Sequence, residues 1–485
     1  MSDDARPRPI GAIKTLAAFR DRVDALGIAL HCDDQIAIGR EAPLAQSYTL
    51  RDGKTVGNRF CIHPMEGWDG TADGLPTELT HRRWRRFGES GAKLIWGGEA
   101  VAVSHDGRAS PNQLVIDRRT VHALRALRED LVMAHQTRCG PADDLLVGLQ
   151  LTHSGRYARP RRADRPEPRL VQRHPLLDAR LGPEVAAVDP LDDAELASLG
   201  ETFVDASLLA ADAGFAFVDI KHCHGYLAHD LLGAHTRPGS FGGSLENRTR
   251  FLRRIVDGIR RGAPQLGIGV RLSAFDLVPY RRGSDGRGQP EAVQLPYSYG
   301  FGVRAQVPTE PDLTEPILFM RMLRELGIEL CNLTAGSPYY NPHVQRPALY
   351  PPSDGYDPPE DPLIGVARQI GVAMELKRAV PELFVVGSAY SYLQQFLPHV
   401  AQRVIRDGGA DAVGIGRLAL SYPGFPSDVL AGRSLDQRLL CRTFSDCTTG
   451  PRNGLVSGCY PLDPFYKERP EAARIMALRP RSRRH

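Results

Sequence analysis

The chain lacks any run of apolar residues long enough to cross a bilayer, and its start, MSDDARPRPI, lacks the apolar centre of an export signal. A cytoplasmic protein with no membrane partner is expected. Strong charge of one sign is also missing: 61 Lys and Arg against 57 Asp and Glu leave +4 over 485 residues. The basic runs Arg82–Arg86, Arg156–Arg173 and Arg479–Arg484 are far apart and carry no interleaved aromatics, so they read as solvated faces and no nucleic-acid partner is expected. The second run is the one that would meet an anionic ligand. The eight cysteines are mostly scattered through apolar runs (Cys61, Cys223, Cys331), which fits reduced core thiols and excludes a disulfide framework. Only Cys441, Cys447 and Cys459 are clustered. The Gly-rich turn of a doubly wound nucleotide-binding sheet is absent as well, since His63-Pro64-Met65-Glu66-Gly67 follows the first strand-like run.

What is present is ordinary globular composition, 42% hydrophobic and 24% charged, with a strong alternation of short apolar and longer amphipathic segments. Eight apolar runs read as buried parallel strands: Asn58–His63, Ala92–Ala100, Leu145–His153, Ala216–Lys221, Gly267–Ser273, Ile328–Ala335, Leu383–Ser388 and Asp411–Gly416. Helical segments lie between them at Val121–His135, Ala194–Ala213, Glu246–Arg261, Pro311–Leu326, Ile364–Val380 and Tyr392–Arg406. Eight such units predict an α/β protein of the (β/α)8 TIM-barrel class. The expected organisation is an N-terminal helical extension over residues 1–50, a barrel over 51–435, and a Cys-containing segment over 436–485 packed on the barrel. Long irregular stretches, Tyr157–Leu191, Leu277–Pro311 and Gly336–Pro362, follow three strands and would hang over the C-terminal mouth.

Chemistry concentrates at strand ends. The fourth strand ends in Asp219-Ile220-Lys221-His222-Cys223-His224-Gly225-Tyr226. Lys221 and His224 can converge on one substrate oxygen, and Tyr226 can deliver a proton nearby, the combination that reduction of a polarised double bond needs. The same residues also read as polar groups capping a strand. His222, His224, His229 and His235 admit a zinc reading, although no HxxxH helix or paired carboxylates accompany them. After the third strand, Gln150 and His153 precede Ser154-Gly155-Arg156; an amide that both donates and accepts suits a flavin's pyrimidine edge. The last two strands end in Gly387-Ser388 and Gly416-Arg417, which suit a phosphate between the seventh and eighth loops. Arg271 is a cation in an apolar run and needs a partner.

Several motifs occur together and in one order: Asn58-Arg59 with His63-Pro64-Met65, Asp73-Gly74-Leu75-Pro76-Thr77, Gln150-Leu151-Thr152-His153-Ser154-Gly155-Arg156, His224-Gly225-Tyr226-Leu227, and Gly242-Gly243-Ser244-Leu245-Glu246-Asn247-Arg248. In these the chain resembles the old yellow enzyme family of NAD(P)H:flavin oxidoreductases from about Arg51 to Arg474. The resemblance implies FMN, with Pro64, Met65 and Glu66 on the strand beside it and Gln150 and Arg271 on its ring. It places Gly387, Ser388, Gly416 and Arg417 around its phosphate. It also implies His224 on a substrate oxygen and Tyr226 as proton donor. The activity implied is hydride transfer from NAD(P)H, through flavin N5, to a small molecule with an electron-poor carbon such as an activated C=C bond. Whether the protein assembles as a homo-oligomer is left open.

Three departures qualify the resemblance. Lys221 stands where the family usually has His, a stronger point charge that fits an anionic or strongly polarised acceptor. Glu66 stands where small side chains usually approach the flavin; it would lower the flavin potential, or instead pair with Lys221. The segment Cys441-Arg442-Thr443-Phe444-Ser445-Asp446-Cys447, with Cys459 beyond, resembles the iron–sulfur segment of the 2,4-dienoyl-CoA reductase and trimethylamine dehydrogenase branch, but Phe444 replaces one cysteine. Three thiolates fall short of the four a cubane cluster takes, so the segment is expected to keep the shape without the iron. The nucleotide-binding domains of that branch are not in this sequence, which points to free NAD(P)H. The rivals are an amine dehydrogenase or demethylase on the same fold, a flavin-free metal-dependent barrel hydrolase or lyase, and a pseudo-enzyme disabled at Glu66 and Lys221.

Overall fold

The structure, a computed structural model, describes residues 7–479. The start Met1–Arg6 and all but the first residue of the run Arg479–Arg484 lie outside the described residues. Eight parallel strands close a barrel: β1 Phe60–Ile62, β2 Leu94–Ile95, β3 Leu146–Thr152, β4 Phe217–Ile220, β5 Gly267–Ser273, β6 Leu330–Thr334, β7 Phe384–Gly387 and β8 Ala412–Ile415. Each pairs with the next, and β8 returns to β1 through Val413–Phe60 and Ile415–Ile62, so no edge is left open. All eight predicted runs are strands. The run Ala92–Ala100 breaks after Ile95 because Gly97 (φ 137°) and Gly98 (φ 55°) turn the chain, and a short strand, Ala100–Ala102, then pairs beside β3.

Two apolar layers hold the barrel. Inside it, Cys61, Leu94, Trp96, Leu146, Phe217, Leu330, Phe384, Val386 and Ala412 fill the end away from the site, and the hairpin Tyr48–Thr49/Thr55–Val56 helps to close it. Outside, the larger cluster joins the strands to helices α2 Val121–Cys139, α3 Asp193–Asp212, α4 Arg250–Gly262, α5 Thr314–Glu325, α6 Pro362–Ala379 and α7 Leu397–Arg406. These match the six predicted helices. The fourth is preceded by a separate turn, Leu245–Arg248, and the last by a 3-10 turn over Tyr390–Phe396.

Among the helices not anticipated, α1 Glu78–Gly88 corrects the reading of the arginine runs. Thr77 and Thr80 cap its start reciprocally, and Thr80, Trp84 and Phe87 form its buried face. Arg83 lies on that face, 4% exposed, between the carboxylates of Asp69 and Glu99. Arg82 donates to both oxygens of Asp463 at 3.0 and 2.9 Å. Arg156, 1% exposed, is likewise no surface group: it binds Asp178, Asp230 (3.0 Å) and the Gln172 carbonyl (2.8 Å), anchoring the loop after β3. Charge content alone does not reveal carboxylates far along the chain that make such burial tolerable.

The long loops carry local order. The first holds the helix Pro175–Leu181, the second two small hairpins (Tyr280–Arg282 with Gly288–Pro290, Val303–Arg304 with Val307–Pro311), and the third the turn Pro342–Gln345. No helix among the described residues is long and apolar enough to cross a membrane.

Candidate active site

A cavity of about 220 Å³, open to solvent, lies at the C-terminal mouth of the strands. It gathers Pro64, Met65, Glu66, Gln150, Lys221, His224, Tyr226, Arg271, Ser388, Gly416 and Arg417. Of the residues expected around the flavin and substrate, Gly387 is outside this lining: it ends β7 one residue before Ser388, which lines the cavity.

The loop after β1 presents Glu66. Met65 N–H donates to the Gly98 carbonyl at 2.7 Å, and Gly67 N–H to Glu99 Oε2 at 3.2 Å. A Cβ at Gly67 would stand 2.1 Å from the Arg83 guanidinium, so the close approach of Arg83 requires glycine there. Held this way, Glu66 Oε1 accepts from Lys221 Nζ at 2.8 Å, while Oε2 accepts from Trp68 Nε1 at 3.1 Å and the Tyr226 hydroxyl at 3.3 Å. The pairing of Glu66 with Lys221 is therefore present.

The turn after β4 aims the donors. His224 (φ 69°) and Gly225 (φ 78°) both adopt the left-handed region, and a Cβ at Gly225 would meet Tyr340 at 2.9 Å and Ser337 Oγ at 3.0 Å. His224 N–H donates to Ser273 Oγ (3.1 Å) and its carbonyl accepts from Ser337 Oγ (2.8 Å), which hold the strained residue. Its ring lies 3.3 Å from the Gln345 amide. Burial, with Arg271 and Lys221 nearby, holds the His224 pKa well below its usual value, so the imidazole is neutral. Burial first, then Glu66 and Tyr339, pushes the Tyr226 hydroxyl well above the usual tyrosine range. The Tyr339 hydroxyl is 3.1 Å from that of Tyr226, and Lys221 Nζ sits 3.9 Å from the centre of the Tyr226 ring.

Gln150 on β3 and Arg271 on β5 share a buried organiser, Asp219 on β4. Its Oδ2 accepts from Gln150 Nε2 (2.6 Å) and Trp96 Nε1 (2.8 Å), and Oδ1 from Arg271 N–H (2.6 Å). Burial raises Asp219 to about 6, opposed by those donors. Because one amide N–H of Gln150 is taken, its carbonyl oxygen and second N–H remain to face the cavity. Arg271 Nε is buried without a protein partner.

At the other end, the Ser388 hydroxyl donates to the Leu333 carbonyl (2.5 Å) and lies 3.0 Å from His63 Nε2, so its one hydrogen is already committed. Gly414 is tightly constrained, since a Cβ there would fall 2.1 Å from His63. Arg417 Nη2 donates to the Pro347 carbonyl at 3.1 Å, and its Nη1 is buried without a partner. Orphaned guanidinium hydrogens on Arg271 and Arg417, with the Gln150 amide sharing Asp219 with Arg271, suit a ligand that carries a carbonyl-rich ring and a phosphate. The residues present fit FMN.

The zinc reading finds no support. His222 Nδ1 lies 2.8 Å from the Ile220 carbonyl, His229 Nδ1 accepts from Gly225 N–H (2.7 Å), and His235 Nε2 lies 3.0 Å from the Gly300 carbonyl, so each ring is engaged separately. His153 Nδ1 accepts from Gly155 N–H at 3.0 Å, a structural role. Among the described residues no group of three or more His, Cys, Asp or Glu side chains is placed to hold a metal ion, and this includes Cys441, Cys447 and Cys459. Phe444, in place of a fourth cysteine, stacks on Tyr350 with ring centres 5.6 Å apart.

Residues 46–288, half of the chain, match the NADH:flavin oxidoreductase / NADH oxidase family. The chain belongs to that family. It is an FMN-dependent oxidoreductase of the NAD(P)H-using kind, as the motifs implied. It is 27% identical over 396 residues to an NADPH dehydrogenase of Bacillus pumilus, covering 80% of this chain and 94% of that protein. The fold is similar to that of a 2-naphthoyl-CoA reductase (TM-score 0.63, 17% identity, 89% of this chain) and of a histamine dehydrogenase from Rhizobium sp. 4-9 (TM-score 0.62, 21% identity, 88% of this chain). The chain spans 58% and 53% of the lengths of those two proteins.

Sequence reading missed Trp68, Gln345, Arg346 and Arg452, all of which line the cavity. Three belong to irregular segments without periodicity, and Arg452 follows the cysteine segment. The only signal was the Tyr, Arg and Pro content of the loop after β6.

Proposed function

We propose that the cavity holds FMN with its ring between Gln150 and Arg271 and its phosphate at Gly416 and Arg417, and that it reduces neutral, polarised C=C bonds of a small molecule. When bound, the cofactor supplies reversible hydride transfer. Arg271 supplies positive charge to the ring's electron-rich edge, and Gln150, oriented by Asp219, matches its donors and acceptors. His224, neutral and held by strain, offers a ring nitrogen to the substrate's activating oxygen, with Lys221 beside it. Tyr226 holds the proton that is exchanged with the substrate at its hydroxyl oxygen.

The observation that carries this reading is the convergence on one cavity of Gln150, Arg271, Lys221, His224, Tyr226 and Arg417 from four different strand ends. The Glu66–Lys221 pair changes the expected substrate. With Lys221 neutralised at 2.8 Å, the pair presents a donor without net positive charge, which favours a neutral acceptor over an anionic one. The test is anaerobic: reduce the purified protein with NADPH or NADH, then mix it with a cyclic enone and with an anionic analogue. Faster reoxidation by the neutral enone supports the proposal; a preference for the anion, or no reduction, sinks it.

One observation favours a second reading, oxidation of an amine. An ionised Glu66 can only accept, so the Tyr226 hydrogen points at the carboxylate. A tyrosine so placed can hand its own proton to Glu66 as it takes one from the substrate. Bleaching of the oxidised flavin by a methylated amine, without reoxidation by enones, would establish it.

A further inference from the structure

Arg346 has no place in the reading so far. It comes from the loop after β6, lines the same cavity as Arg417, and its Nε is buried without a partner. Its Nη1 donates to Thr448 Oγ1, a neutral acceptor, and its neighbour Pro347 accepts from Arg417 Nη2 at 3.1 Å. Two buried guanidiniums thus line one cavity; burial lowers the proton affinity of both, and the charge of Arg417 lowers that of Arg346 further, to about 9. Like charges out of water repel, and each also leaves an N–H unsatisfied, so the arrangement is costly unless an anion with more than one charge lies between them. A guanidinium pair of this kind matches a phosphate dianion, which has oxygens for both forks.

The loop that carries Arg346 is fastened from outside the barrel. Ser445 Oγ donates to the Tyr350 carbonyl (2.6 Å), Ser353 N–H to Thr449 Oγ1 (3.2 Å), and Arg452 to Asp354 (2.7 Å) and the Pro338 carbonyl (2.7 Å). With the Thr448 contact, the cysteine-bearing segment forms a strut along residues 338–354. That gives the segment a task that needs no iron: it holds the loop in place from behind.

We propose that Arg346, braced by Thr448, is a second phosphate-binding cation of the cofactor site and forms with Arg417 a two-arginine clamp on the FMN phosphate. The proposal rests on the flavin reading above. FMN and riboflavin share the ring and differ in the phosphate, so together they separate the two claims.

The test is flavin binding to the full-length apoprotein, read by quenching of flavin fluorescence, for wild type, Arg346→Gln, Arg346→Lys and Thr448→Val. Arg346→Gln is expected to weaken FMN roughly ten- to a hundredfold, the loss of one charged hydrogen-bonded contact, and to leave riboflavin unchanged. Lysine should recover part of the FMN affinity, and Thr448→Val should weaken FMN by a smaller factor. Equal loss of FMN and riboflavin would make Arg346 a structural residue and overturn the proposal, as would unchanged FMN affinity with an altered KM for NADPH. A wild-type protein that binds neither flavin would overturn the flavin reading itself.

Discussion

Removing the charge of Glu66 tests how the catalytic end is held together. In wild type, Lys221 is 2% exposed and Glu66 21%, with Nζ and Oε1 2.8 Å apart. At an effective dielectric of about 20, their attraction is about 6 kcal/mol before desolvation. Glu66→Gln keeps the shape and leaves the Lys221 ammonium buried without its counter-charge. Breaking one side of a buried pair costs about 3–5 kcal/mol, and the partial exposure of Glu66 argues for the lower end, about 3 kcal/mol. With an unfolding entropy near 2.1 cal/mol/K per residue, a chain this long should lose about 3 °C in Tm. Lys221→Met alone should cost a similar amount, because Glu66 then loses its nearest donor. The double variant should cost about 4 kcal/mol where additive effects would give about 6, a coupling of about 2 kcal/mol in a double-mutant cycle. Thermal unfolding of the four apoproteins at fixed pH reads it. Additive single effects, with a coupling under about 0.5 kcal/mol, would refute the pair as an energetic unit.

Tyr226→Phe should slow reoxidation of the reduced enzyme by an enone roughly 100- to 10,000-fold while reduction by NADPH keeps its rate, measured by stopped flow in the two half-reactions. Burial raises Asp276 to about 7 from an unfolded value of 3.8, although Tyr340 (2.6 Å) and Asn341 donate to it. A carboxyl raised on folding adds stability below pH 4 that is lost as pH rises through 7. Asp276→Asn should therefore remove up to roughly 4 kcal/mol of pH dependence between pH 4 and 7, and parallel Tm-versus-pH curves for the two proteins would contradict it. Gly225→Ala should cost about 1–2 kcal/mol from backbone strain, with a further loss as Tyr340 gives way at 2.9 Å, and should raise the KM for the substrate more than it lowers Tm.

The barrel was legible because buried parallel strands are continuous apolar runs, and the eight appear where Asn58–His63 through Asp411–Gly416 were read. The dense polar turn Lys221–Tyr226 was legible for the opposite reason, since so many donors at a strand end have no other use. Partners far apart in sequence were harder to see. Arg83 looked like a solvated charge because nothing near it announces Asp69 and Glu99 as buried companions. Glu66 and Lys221 are 155 positions apart, and only the resemblance suggested that they meet. Arg346 and Gln345 sit in a loop whose course is set by contacts to residues 445–453, which no local pattern encodes.

The central claim, a flavin held at the mouth of this barrel and reduced by a nicotinamide, is tested most directly by the absorbance spectrum of the purified protein before and after anaerobic NADPH. The account predicts a yellow protein with one FMN per chain released on denaturation, no iron, and bleaching of the flavin band on addition of the nicotinamide. A colourless protein that cannot be reconstituted with FMN, or a bound flavin that stays oxidised with both NADPH and NADH, would contradict it.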